Sequence, residues 1–251
     1  MEEEKTYDFP FEEIDLPSKG LVYPEDNPLS SGKVKMRYMT AKHEDILTNS
    51  NFIENGTVIE KLLQAMLVSD SKDGSLYDDM IIGDRNAIMI AARILGYGKD
   101  YTVPIGGQDI TIDLTEFGAK SFDEESITKG VNEFLFQLPA SGVDITYKLL
   151  TNKDDRKVEA ELKGLKKINK NDSSELTTRL KHMITSVDSD TERKTIREFV
   201  DVHLLARDSR ALREHIRSTQ PDMDLTFQYD GKKGIEEGTL PINLNFFWPD
   251  A

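Results

Sequence analysis

The chain has 251 residues, 37% hydrophobic and 31% charged, with 46 acidic against 32 basic side chains and a formal net charge of −14. It contains no cysteine, which excludes disulfides, thiolate nucleophiles and cysteine-ligated zinc, and its negative charge repels a phosphate backbone and argues against general nucleic-acid binding. No apolar run approaches the roughly 18 residues of a membrane span, and the acidic opening MEEEKTYDFPFEEIDLP lacks the basic-then-apolar order of a signal peptide, so synthesis in the cytoplasm is expected.

In chain order, LPSKGLVYPEDNPLSSG (16–32) comes first, with three prolines and two glycines among acids and small polar residues. Proline fixes φ and lacks the N–H that helices and central strands need, which predicts an extended N-terminal arm over 1–32 with turns at Lys19-Gly20 and Pro24–Asn27. The apolar pegs Leu16, Leu21, Val22, Tyr23 and Leu29 need a surface to bury against, supplied by the rest of the chain or by a partner.

A first unit over 33–118 follows. Alternating Val34, Met36 and Tyr38 predict a strand, and Thr40 is suited to cap the next helix. Helical spacing runs through Val58, Ile59, Leu62, Leu63, Met66 and Leu67, then from about Arg85 to Leu95, with a C-cap at Gly96 or Gly98. A hairpin with Gly106-Gly107 at its tip closes the unit, held by cross-strand pairs such as Val103 and Ile105 with Ile110 and Ile112.

A second unit over 119–251 opens with what reads as an extra pair of strands, EFLFQLP and VDITYKLL, joined at Ala140-Ser141-Gly142. Val143, Ile145 and Tyr147 alternate toward Thr151. Helical spacing continues through Leu176, Leu180, Met183, Ile184 and Val187, then from Glu192 to about Ala206 and from about Asp208 to Arg217. A second hairpin with the tip DGKKGIEEG leads into an aromatic tail, NLNFFWPDA. In that tail Phe246, Phe247 and Trp248 are read either as packing of a terminal strand or as a partner-binding cluster.

The two units match in order. DRNAIMIAARILGYGKDYTV (84–103) aligns without a gap on DSRALREHIRSTQPDMDLTF (208–227), placing Asp84 on Asp208, Arg93 on Arg217 and Asp100 on Asp224. LLQAMLVS lies over RLKHMITS, VKMRYMT over ITYKLLT, and ITIDLTEF over LPINLNFF. The offset grows steadily along the chain, as insertions in loops would make it. The expectation is an internally duplicated α+β fold, each half a strand, a helical cluster and a closing hairpin. Its pseudo-twofold symmetry would present two similar surfaces to neighbours.

Sequence patterns for catalysis are weak. His43, His182, His203 and His215 match no metal-ligand spacing, although His203 and His215 stand twelve apart near Asp201, Asp208 and Glu214. DSKDGSLYDDM (70–80) resembles a calcium loop but puts Met80 where a bidentate glutamate belongs. GYGK lacks the spacing of a phosphate loop, and no GxSxG elbow occurs. The acid pairs Asp78-Asp79, Glu124-Glu125 and Asp154-Asp155 are adjacent in sequence and suit helix N-termini. The basic run 163–170 suits a solvated helix end.

The phrase LPSKGLVYPEDNPLSSGKVKMRYMTAKHEDILTN resembles the opening of the baseplate hub subunits of T4-type contractile-tailed phages. The resemblance continues through TTRLKHMITSVDSDTERKTIREFVDVHLLARDSRALREHIRSTQPDMDLTF to NFFWPD. It implies a non-enzymatic tail protein without cofactor or metal, made in the host cytoplasm and built into the virion baseplate hub. Its partners would be other baseplate and hub proteins or a symmetric assembly of its own copies, with neither nucleic acid nor membrane. The alternative is a transient assembly chaperone that leaves before the virion matures. One departure matters: where relatives carry cysteine pairs at the hairpin tips, this chain has PIGGQDI and YDGKKGIEEGTL, so no zinc-dependent role is carried over.

Overall fold

The structure, a computed structural model, describes residues 10–68, 75–169, 174–231 and 234–248. It is a mixed α+β fold whose helices surround four small antiparallel sheets.

The described residues open with β1 (Phe11–Asp15) and β2 (Lys33–Arg37), which pair antiparallel with Glu13 opposite Lys35 and Asp15 opposite Lys33. Opposite charges across the pair favour this register. The extended arm is therefore corrected for residues 11–32: its first part is a strand, and 16–32 is a compact connection that turns back on itself. The Leu16 N–H donates to the Gly32 carbonyl at 2.9 Å. Asn27 caps a 3-10 turn over Pro28–Ser31. Lys19 and Gly20 take positive φ, and a side chain on Gly20 would lie 2.3 Å from the Ser30 carbonyl oxygen, so glycine is required there. Residues 1–9 of the expected arm lie outside the described residues.

Three helices follow, α1 (Ala41–Leu47), α2 (Ser50–Asn55) and α3 (Val58–Met66). Thr40 caps α1 as its alternating strand predicts. Leu67 belongs not to a helix but to β3 (Leu67–Val68), which adds to β2 with Leu67 opposite Met36. After α4 (Ser75–Asp79), the long α5 (Ile82–Tyr97) runs to a C-cap at Gly98 and into the hairpin β4 (Asp100–Ile105) and β5 (Gln108–Asp113). Gly106 and Gly107 take φ of 58° and 85°, the left-handed pair a two-residue turn demands. Val103 stands opposite Ile110 as expected, whereas Ile112 faces Tyr101 and Ile105 faces Gln108.

The second half opens with β6 (Phe134–Gln137) and β7 (Asp144–Tyr147). This pair is not an addition, because β1 and β2 open the first half in the same way. Thr151 caps α6 (Asn152–Ile168) with a reciprocal box to Asp154. Next come α7 (Glu175–Met183) and β8 (Ile184–Val187), so Ile184 and Val187 are strand residues where helical spacing had placed them in a helix. The sheets run β1-β2-β3 and β6-β7-β8, and in each the third strand leaves its helix without a loop. Helix α8 (Arg193–Glu198) continues as one π turn over Phe199–His203, and α9 (Ala206–Thr219) follows. The hairpin β9 (Thr226–Gly231) and β10 (Gly234–Thr239) precedes α10 (Leu244–Phe247), a short helix where a strand was one of the expectations.

The halves interlock rather than standing as separate domains. The Ile82 N–H donates to Leu150 O at 3.1 Å and the Asn152 N–H to Met80 O at 2.9 Å. Gly83, in the first turn of α5, lies so close to the second half that a Cβ there would be 1.9 Å from the Pro221 carbonyl oxygen. Segment 118–120 crosses the boundary at residue 118, exchanging backbone hydrogen bonds of 2.8 Å with Asp222 and Asp224. Helix α10 returns from the C-terminal end to pack on α5. One continuous apolar core results.

Candidate functional site: buried aspartates and the segments they hold

Asp84 sits in the first turn of α5, fully buried. Its carboxylate accepts from the Ser18 N–H at 2.9 Å, from Ser18 Oγ at 2.6 Å and from the Tyr23 hydroxyl at 2.6 Å. The Ile81 N–H donates in turn to the Tyr23 oxygen at 3.0 Å, and the Gly20 N–H to Ser18 Oγ at 3.1 Å. The network holds the 16–32 connection onto the start of α5. Burial raises the Asp84 pKa more than its donors lower it, and burial followed by the Asp84 charge pushes the Tyr23 hydroxyl well above its ordinary range.

Asp208 occupies the corresponding first turn of α9, also fully buried. It accepts from the N–H groups of Ala140 at 2.7 Å and Ser141 at 3.0 Å, in the turn between β6 and β7. Burial works against its charge, but the backbone donors outweigh burial and its pKa is lowered.

A third polar cluster ties helices together. Glu161 on α6 accepts both Nη atoms of Arg197 at 2.9 and 2.8 Å and pairs with His182 Nε2 at 2.9 Å. Asp155 accepts Arg85 at 2.9 Å and Arg179 at 3.0 Å, and Arg156 reaches Glu60 at 3.0 Å and Asp78 at 2.6 Å, bridging the halves. These groups carry charges that a reaction could use, but their partners are one another.

The pegs Leu16, Val22, Tyr23 and Leu29 are buried in the chain's own core, with Leu21 half-buried beside them. Phe246 and Phe247 are fully buried, Phe246 meeting Tyr101 edge-on at 5.0 Å, while Trp248 packs half-buried against the core. In this fold, therefore, the arm and the tail hold on to the chain itself, and the proposed partner contact through these side chains has no free surface beyond Leu21 and Trp248.

The histidines do not converge. His43 Nδ1 accepts the Thr40 N–H at 3.0 Å at the start of α1, and His215 stacks on Phe136 at 4.4 Å with its pKa lowered by burial. His203 is exposed in the π turn. Among the described residues no group of three potential metal ligands occurs, and the DSKDG stretch (70–74) lies outside them. Asp154 and Asp155 stand in the first turn of α6, and Glu124 and Glu125 start a 3-10 turn, as adjacent acids should.

Sequence reasoning aligned Asp84 with Asp208 but assigned neither a role. The signal was present: an aspartate in the first turn of a helix is expected to cap backbone, and here each caps a distant connection instead of its own helix.

Comparison of the chain with protein-family models, with curated proteins and with solved structures found no match.

Proposed function

We propose that this protein is a non-enzymatic component of a contractile-tail baseplate hub that works through protein–protein contacts during assembly. The observation that carries this reading is the resemblance of its opening, middle and closing phrases to hub subunits. Those phrases supply Ser18 and Tyr23 at Asp84, Asp208 at the β6–β7 turn, and Phe246 and Phe247 against α5. The resemblance runs through nearly the whole chain, core and surface alike, and its opening and closing phrases include these core-holding residues. With the pegs committed to the core, apolar side chains left for partners include Leu135 at 71% exposure, Val202 at 71% and Ile235 at 74%.

We also infer that the chain is internally duplicated. Support comes from equivalent devices at equivalent places: Thr40 and Thr151 as caps, Asp84 and Asp208 gripping the connection between the first two strands of each half, and Asp113 and Asn243 capping the turn after each hairpin. One rotation should superpose β1–β3 with α5 on β6–β8 with α9.

The deciding experiment is quantitative mass spectrometry of purified virions against tail-tube and baseplate proteins. Presence at a fixed ratio supports a built-in hub part. Abundance in infected cells with absence from virions overturns that part of the reading in favour of a transient chaperone.

A further inference from the structure

In a chain with a large excess of carboxylates, one buried arginine has none as a partner. Arg93, near the end of α5, is only 3% exposed, yet among the described residues no acidic side chain pairs with it. Its Nη1 donates to Gly98 O at 3.1 Å and its Nη2 to Asp100 O at 3.4 Å, while Nε is buried without an acceptor. A guanidinium carries five N–H donors, so most of its donor capacity is unspent. Tyr97 and Tyr101 lie 5.2 and 5.6 Å from its central carbon and, with the carbonyls at the end of α5, soften the charge without neutralising it.

Arg93 lines a cleft of about 580 Å³ between β4 and the segment entering α10. Asp100, Thr102 and Pro104 form one wall, and Pro241, Asn243 and Asn245 the other. Asn243 spends its carbonyl oxygen on the Phe246 N–H, which leaves its amide N–H₂ free to donate, and Asn245 makes no side-chain hydrogen bond among the described residues. The cleft thus combines a buried cation with two amide donors at its rim. Asp100, exposed, is its one acidic side chain.

We propose that this cleft binds an oxyanion group, a carboxylate, sulfate or phosphate, with Arg93 as its counter-charge. A planar guanidinium matches such groups geometrically. The volume exceeds that of a bare ion, so the natural ligand carries the anion on a larger body. This site is independent of any role in tail assembly.

The test is calorimetric titration and thermal melting of the whole chain with sodium phosphate, sulfate and acetate, each at constant pH and ionic strength against chloride. Saturable binding is expected, with a melting shift of about 5 °C at roughly a hundredfold excess over Kd. A preference for acetate assigns the site to carboxylates, and a preference for phosphate or sulfate to tetrahedral anions. Arg93→Lys should weaken binding about tenfold by losing the fork. Asp100→Asn, at an exposed position, should tighten it about threefold by removing a like charge. Shifts no larger than those in chloride, or an unchanged affinity in Asp100→Asn, would overturn the proposal. The second variant decides the matter even if the first does not fold.

Discussion

Tyr23 and Asp84, 61 positions apart, share a buried 2.6 Å hydrogen bond whose phenol oxygen also accepts the Ile81 N–H. The connection 16–32 cannot lift from α5 without breaking both. Tyr23→Phe should therefore cost about 1–3 kcal/mol, because it leaves a buried N–H and a carboxylate each one partner short. Asp84→Ala should cost about 3 kcal/mol or more, since the Ser18 and Tyr23 donors are orphaned together. Urea denaturation midpoints measure both.

Acid stability should depend on Glu161. The Arg197 guanidinium, assisted by His182, holds its carboxyl at about 2, against an ordinary value of 4.5. Because the folded pKa is the lower one, the unfolded chain binds more protons as pH falls. The stabilisation is complete above 4.5 and is lost between there and about 2. Its size is about 1–2 kcal/mol, since the exposed side of Arg197 is screened by solvent. Glu161→Gln should flatten the fall in stability over that window. Asp84, whose folded pKa is raised, works in the opposite sense: its burden on the fold eases as pH drops through that pKa. An unchanged slope in Glu161→Gln would remove this assignment.

Two glycine-to-alanine substitutions should move stability in opposite directions. At Gly83 a Cβ would sit 1.9 Å from Pro221 O, so alanine must push the halves apart, at a cost of about 3 kcal/mol or more. At Gly164, inside α6 with nothing within 4 Å, alanine should stabilise by about 0.5–1 kcal/mol through helix propensity alone. Thermal melts of the two variants provide the comparison.

The aromatic tail should behave as core. Phe246→Ala removes a fully buried ring that meets Tyr101 at 5.0 Å and Phe247 at 5.1 Å, and should cost about 3–5 kcal/mol. Val202→Ser, at an exposed side chain, should change stability by less than about 0.5 kcal/mol. Melting read beside co-purification with hub proteins separates fold from interface: a folded Phe246→Ala chain that loses only its partners would contradict the packing described here.

Local chemistry was legible before the structure. The Thr40 and Thr151 caps, the Gly98 end of α5 and the Gly106-Gly107 turn each depend on residues within a few positions, so a short window contains both halves of the interaction. Net charge and the lack of cysteine likewise bounded the chemistry directly. Periodicity was less decisive. Leu67 and Ile184 continue an apolar stripe yet begin strands, because the open edges of β2 and β7 offer ladder partners that a helical period cannot reveal.

Composition and local pattern by themselves determined an acidic, cysteine-free α+β chain with capped helices and two closing hairpins. Tertiary structure alone decided that β1 joins β2, that the pegs and tail aromatics fill the chain's own core, and that Asp84 and Asp208 hold connections remote in sequence. The reason is physical: burial and long-range hydrogen bonding depend on which surfaces meet after the chain closes, and 16–32 reads as an open arm until α5 is there to receive it.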